Sequence, residues 1–173
     1  MARRKGISPV IATVIIVAVT IAVAIAVAFW MTGIVGLFTA AEKLEIVSIN
    51  AAWDDQNRQW TITLTVRNTG TTQTAIDVIY VNGYEAFVQN QAQLNCVGNL
   101  QTQIGNNQLN PPLPIVLRPG DQATIQFSIG NPGQACNYAR TNTAAFTPNS
   151  GGSIEVKLHS SGGKEYPKLL TLP

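Results

Sequence analysis

From Gly6 to Ala41 the chain carries no charged side chain, a run of 36 residues dominated by Ile, Val and Ala. As an α-helix rising ~1.5 Å per residue, this run reaches roughly 50 Å. A bilayer core is about 30 Å thick and needs only ~20 apolar residues to cross it. A secretory signal uses roughly 7–15. Within Val19-Thr20-Ile21-Ala22-Val23-Ala24-Ile25-Ala26-Val27-Ala28, β-branched residues alternate with small ones, which locally suggests a strand. Length decides for a helix. Strands run about 3–10 residues, and a lone strand in lipid would leave its backbone polar groups unpaired. Pro9 suits only the first helical turn, where its missing N–H costs no bond, and Ser8 is then the expected N-cap.

Small residues recur at helical spacing along this segment. Ala18, Ala22 and Ala26 are four apart, as are Ala24 and Ala28, with Thr20 among them. Such spacing lets two helices approach closely without lipid between them, although alanine is common in any apolar helix. Gly33 and Gly36 each cost roughly 1 kcal/mol relative to alanine in a helix interior. They mark a place where the helix either loosens or tolerates glycine near its end.

Before the apolar run stand Arg3, Arg4 and Lys5. The formal net charge of +2 depends on them, because the rest of the chain has eight Lys or Arg against nine Asp or Glu. No basic cluster follows Lys5, so a nucleic-acid partner is not expected. The two cysteines, Cys96 and Cys136, both lie in the polar part of the chain. In a translocated domain an even pair reads as a disulfide, the alternative being two unrelated thiols. Closing that loop is worth roughly 3–4 kcal/mol.

Beyond Glu42 and Lys43 the pattern turns to β. Leu44 to Asn50 suits a first strand. Gln59 to Arg67 alternates, with Trp60, Ile62, Leu64 and Val66 on one face and Thr61, Thr63 and Thr65 on the other. Asp77 to Val88 reads as a hairpin around Asn82-Gly83. Asn90 to Pro114 reads as a long polar loop tethered by Cys96. Arg118-Pro119-Gly120-Asp121 turns into a strand with Ala123, Ile125, Phe127 and Ile129 inward. Ile154, Val156 and Leu158 mark another strand, which turns at Ser161-Gly162-Gly163 and returns from Glu165 to Leu172. Six to eight short strands with regular turns predict an antiparallel β-sandwich of immunoglobulin-like type. The fold class is α+β: a long apolar helix over 7–41, then a sandwich over 42–173.

Catalytic groupings are sparse. His159 is the only histidine. It has Ser160 and Ser161 beside it in sequence, but no Asp is placed by sequence to orient it, so a surface histidine accounts for it better than a triad. Asp54-Asp55-Gln56-Asn57 offers oxygen ligands of the kind Ca²⁺ takes, but a turn between strands explains it better. No phosphate loop, dinucleotide fingerprint, Cys-x-x-Cys or Asn-x-Ser/Thr sequon occurs. No cofactor, metal or enzymatic activity is expected.

The junction Arg3-Arg4-Lys5-Gly6-Ile7-Ser8-Pro9-Val10-Ile11-Ala12 resembles that of archaeal type IV pilins. The resemblance covers residues 1 to about 41 closely and the β-domain only in general character. It implies a leader of residues 1–6 of the class III kind, cut between Gly6 and Ile7 by a prepilin peptidase. The whole apolar helix then stays on the mature protein. It further implies a precursor held in the cell membrane, and subunits that the pilus assembly machinery builds into a homo-oligomeric extracellular filament with the helices at its core. The basic leader keeps the N-terminus cytoplasmic. Bacterial type IV pilins carry Phe or Met first and Glu fifth in the mature chain. Ile7 and Ile11 stand there instead, so the Glu-dependent assembly step does not transfer. The Ser-Pro-Val string separates the chain from typical archaellins.

Three functions follow as expectations. The first is a structural subunit of an adhesive archaeal pilus. The alternatives are a membrane-anchored extracellular binding module and an archaellin-like motility subunit. An anchor needs only about 20 apolar residues, which favours the first.

Overall fold

The structure, a computed structural model, describes residues 8–39, 41–130 and 132–173, with side chains left aside at 36–39. Two compact units result, Met1–Ala40 and Ala41–Pro173.

The first unit is a single helix, α1 (Pro9–Thr39). The amide of Ala12 donates to the carbonyl of Ser8 at 3.1 Å. Ser8 therefore occupies the N-cap position and Pro9 the first turn, as the sequence requires. At 31 residues the helix is about 46 Å long. It runs unbroken through Gly33 and Gly36.

The second unit is built from β-strands: β1 (Leu44–Asp54), β2 (Gln59–Asn68), β3 (Thr74–Val81), β4 (Tyr84–Val88), β5 (Gln91–Ala92), β6 (Val97–Ile104) and β7 (Asn107–Gln108). They continue with β8 (Ile115–Leu117), β9 (Gln122–Gly130), β10 (Cys136–Tyr138), β11 (Thr143–Phe146), β12 (Ser153–Ser160) and β13 (Glu165–Thr171). One antiparallel sheet has the order β1-β2-β9-β6-β7 and the other β13-β12-β3-β4-β5, with β8 pairing on β3; β10 and β11 form a separate ribbon.

Alternation fixes the inner faces. Trp60, Ile62, Leu64 and Val66 of β2 and Ala123, Ile125, Phe127 and Ile129 of β9 are all buried. So are Ile76, Ile79 and Val81 of β3 and Ile154, Val156 and Leu158 of β12. Phe87 of β4 meets Phe127 of β9 edge-on, with ring centroids 5.6 Å apart, a packing preferred by the ring quadrupoles. The hairpin at Asn82-Gly83 forms as expected. Both residues take positive φ, 49° and 80°, as a type I′ turn demands. Pro167 sits on β13 at a sheet edge, where its missing donor breaks no ladder.

Three expectations need correction. The first strand runs on to Asp54, not Asn50, because Ala51, Ala52 and Trp53 continue to pair with β2 across a bulge near Val47. The segment from Asn90 to Pro114 is not a loop: it contains β6, an inner strand pairing with β9. A bulge between Gly98 and Gln101 interrupts its alternation, and half of its eight residues are Gly98, Asn99, Gln101 and Gln103 rather than β-branched or aromatic ones, so neither periodicity nor propensity marked it. The described residues also hold more strands than the six to eight expected, several of only two or three residues.

Candidate functional site

The helix surface is apolar on every side. Phe29, Trp30 and Met31 follow one another, so they point roughly 100° apart, yet they are 75%, 69% and 64% exposed. Ala18, Ala22, Ala24, Ala26 and Ala28 are exposed as well. By helical geometry the first, second and fourth of these lie along one side, and Ala24 and Ala28 along a roughly opposite one. A side chain added at Gly33 would meet nothing within 4 Å. The few polar groups are satisfied internally. Thr13 Oγ1 donates to the carbonyl of Val10 and Thr20 Oγ1 to that of Val17, both at 2.8 Å, and Thr32 Oγ1 to those of Ala28 and Phe29. Pro9–Val35 is long and apolar enough to cross a membrane. A helix that is hydrophobic all round is a buried one, yet none of its described side chains is buried. Arg3, Arg4, Lys5, Gly6 and Ile7 lie outside the described residues.

Where the β-domain begins, the chain is clamped. The amide of Ala41 donates to Thr71 Oγ1 at 2.9 Å, and the amide of Thr71 donates back to the carbonyl of Ala41 at 2.8 Å. The amides of Thr69 and Gly70 both donate to the carbonyl of Lys43, at 2.9 and 3.0 Å. Only glycine fits at position 70, because a Cβ would fall 2.6 Å from the amide nitrogen of Lys43. Thr74 Oγ1 donates to Glu42 Oε1 at 2.6 Å, and Lys164 Nζ to the carbonyl of Glu42 at 2.7 Å. Burial pushes the Glu42 carboxyl upward. The hydroxyls of Ser160 and Thr74, with the charges of Lys164 and His159, outweigh it and hold the group below the ordinary carboxylate range. Behind the clamp, buried Asn68 donates from Nδ2 to the carbonyls of Thr72 and Leu117 and accepts the amide of Gly70 on Oδ1. No local sequence pattern signals this buried bracing.

Cys96 and Cys136 are bonded, with Cα atoms 5.3 Å apart, within the range a disulfide spans. The bond is buried and pins the β10–β11 ribbon to the segment entering β6. Around it the amide of Ala139 donates to the carbonyl of Gln93 at 2.7 Å, and the amide of Asn137 to Asn95 Oδ1 at 2.8 Å.

The polar groups singled out in the sequence resolve as follows. His159 Nδ1 lies 2.8 Å from Asp77 Oδ1, a partner that sequence reasoning did not find because β3 and β12 bring it from 82 positions away. A nucleophile does not complete the pair: Ser160 faces the core and is fully buried, accepting the amide of Lys164 at 3.2 Å. Asp54 spends its oxygens on a turn, accepting the amides of Gln56 and Asn57 on Oδ1 and the Asn57 side chain on Oδ2. Among the described residues no three His, Cys, Asp or Glu gather as a metal site would require.

The β-domain has concave features on its surface. A groove of about 430 Å³ is lined by Trp53, Trp60, Pro132, Ser150 and Pro173. Trp53 stands 4.9 Å from Trp60, ring centroid to ring centroid, at 58°.

No family model and no curated protein matches the chain. Among solved structures it is similar to the archaeal flagellum of Methanospirillum hungatei strain JF1, at 16% identity and a TM-score of 0.40, over 94% of this chain and 88% of that one. It is also similar to the GAE domain of GGA2p from Saccharomyces cerevisiae, at 13% identity and a TM-score of 0.32, over 77% of this chain and 98% of that one.

Proposed function

We propose that this chain is a structural subunit of an archaeal type IV pilus. In this reading the precursor sits in the membrane through α1, with Arg3, Arg4 and Lys5 on the cytoplasmic side. A prepilin peptidase cuts between Gly6 and Ile7. Mature subunits then polymerise through their helices into an extracellular adhesive filament, and the β-domain performs no chemistry.

One observation carries the reading: α1 is apolar around its whole circumference over a length well beyond the bilayer core. Lipid alone leaves the excess unexplained, whereas neighbouring helices in a filament core would bury all of it. At ~25 cal/mol per Å², each 1,000 Å² of apolar area withdrawn from water is worth roughly 25 kcal/mol before entropic costs. Ala18, Ala22 and Ala26 on one side and Ala24 and Ala28 on the other would serve as two close-approach faces toward different neighbours. The internally bonded threonines suit both environments, lipid first and packed helices afterwards. The Ser8-Pro9-Val10 string favours a pilus over a motility filament.

Mass spectrometry of sheared surface filaments tests the reading. Filaments whose subunit begins at Ile7 are expected. A subunit retained in membranes with Met1 or Ala2 at its terminus would refute it and favour an anchored binding module. Replacing Gly6 with a bulky residue should leave uncut precursor and no filaments.

A further inference from the structure

The Trp53 groove is unused by the filament reading, and its chemistry is specific. Its floor is aromatic and prolyl, with no aliphatic side chain among the lining residues. Trp53 comes from the last turn-proximal stretch of β1, where the strand overruns its expected end. Its ring is held from two sides. Trp60, almost fully buried, packs against it, and its Nε1–H donates to Asp55 Oδ1 at 2.5 Å. The indole donor is thus already spent. What the residue offers is the face of a fixed ring, 37% exposed.

Pro132 also lines a second, adjoining hollow of about 280 Å³, shared with Asn57, Arg58 and Gln134. Asn57, Arg58 and Gln134 are exposed, and among the described residues Arg58 makes no ion pair. An aromatic floor therefore runs into a wall of amide and guanidinium groups. That combination fits a ligand with one apolar face and a hydroxylated edge. A pyranose ring has both: its axial C–H groups stack on an indole, and its vicinal hydroxyls accept from a guanidinium and exchange bonds with amides. Acidic sugars are disfavoured by the carboxylates of Asp54 and Asp55 in the same turn. A proline-rich peptide would want several exposed aromatic ridges, and here Trp60 lies beneath the surface.

We propose that the groove of Trp53, continued through Pro132 to Asn57, Arg58 and Gln134, is a binding site for a neutral oligosaccharide. The site belongs to the β-domain alone and does not depend on filament assembly, so the two readings fail separately.

The test is titration calorimetry on the full chain in a zwitterionic detergent free of sugar headgroups. The probes are cellohexaose, chitohexaose and mannohexaose, with decaproline as the competing ligand class. Saturable binding of at least one hexasaccharide with a Kd of about 1 mM or tighter is expected. Trp53→Ala should weaken it at least tenfold. Arg58→Ala, an exposed change that leaves the ring pair intact, should weaken it severalfold, with unchanged circular dichroism in both variants. No binding to any hexasaccharide at about 10 mM overturns the proposal, as does equal binding by both variants. Binding of decaproline alone reassigns the groove to peptides. Burial of Trp53 in assembled filaments without sugar, read by oxidative footprinting, reassigns it to subunit contact.

Discussion

Replacing both Cys96 and Cys136 with alanine removes a bond between residues 40 positions apart in sequence. In the chain-entropy picture, a closed loop of that size withholds about 13 cal/mol/K from the unfolded chain, or roughly 4 kcal/mol at 25 °C. A β-domain spanning Ala41–Pro173 unfolds with an entropy near 0.28 kcal/mol/K at about 2.1 cal/mol/K per residue, so its Tm should fall by about 14 °C. The mechanism acts on the unfolded state, which sets where the loss is seen. Hydrogen exchange of the slowest amides, those of Trp60–Val66 and Ala123–Ile129, should accelerate about a thousandfold. The β10–β11 ribbon should not be the only part affected. The assay is thermal unfolding and exchange of the full chain in detergent, beside the wild type reduced with a phosphine, which should behave alike. A Tm change under about 3 °C, or faster exchange confined to residues 93–97 and 136–146, would refute the reasoning.

Three further outcomes follow from buried polar groups and the clamp. Asn68→Ala strips donors from two carbonyls, that of Leu117 in a buried bond, and should cost about 3 kcal/mol in urea unfolding; a loss under about 0.5 kcal/mol would deny Asn68 its bracing role. Thr102→Val should raise stability by about 1 kcal/mol, since Thr102 Oγ1 is buried without a partner among the described residues and the exchange conserves shape. Glu42 titrates below its ordinary value of 4.5 in the folded chain. Its contribution is therefore complete above that pH and is lost as pH falls through the depressed folded value. Amide exchange at Ala41 and Lys164, taken relative to the intrinsic rate at each pH, should accelerate under acid in the wild type. In Glu42→Gln it should already be faster at neutral pH and lack that pH step; an identical profile in the two proteins would contradict the clamp.

Much of this architecture was legible because period and chemistry coincide. The alternation of Trp60 to Val66 and of Ala123 to Ile129, and the Asn82-Gly83 turn, each carry a local physical cause. So does the end of the apolar run at Glu42. Strand β6 was illegible for the opposite reason. Its inner-sheet position comes from β9 beside it, and Gly98-Asn99 breaks the alternation through a bulge. The pairing of His159 with Asp77 and the bracing by Asn68 depend on register between distant strands, which no local pattern encodes. The groove at Trp53 was hidden because β1 outran its expected end, carrying the tryptophan onto the turn that holds Asp55. Cys96 and Cys136 were readable as a pair from parity and compartment, but not for what they fasten together.

The clamp at Ala41–Lys43 has a mechanical meaning. A pull arriving along the chain at Ala41 does not reach the first rung of β1, Leu44 opposite Asn68, undivided. It is first shared with Thr69, Gly70 and Thr71, which connect β2 of one sheet to β3 of the other. It is shared also with Thr74 at the head of β3 and Lys164 between β12 and β13. The attachment works as a strain relief, spreading tension into both layers before any strand can be peeled from its edge. A domain tethered by a single flexible residue would unzip from β1 inward; this one must yield at several points together.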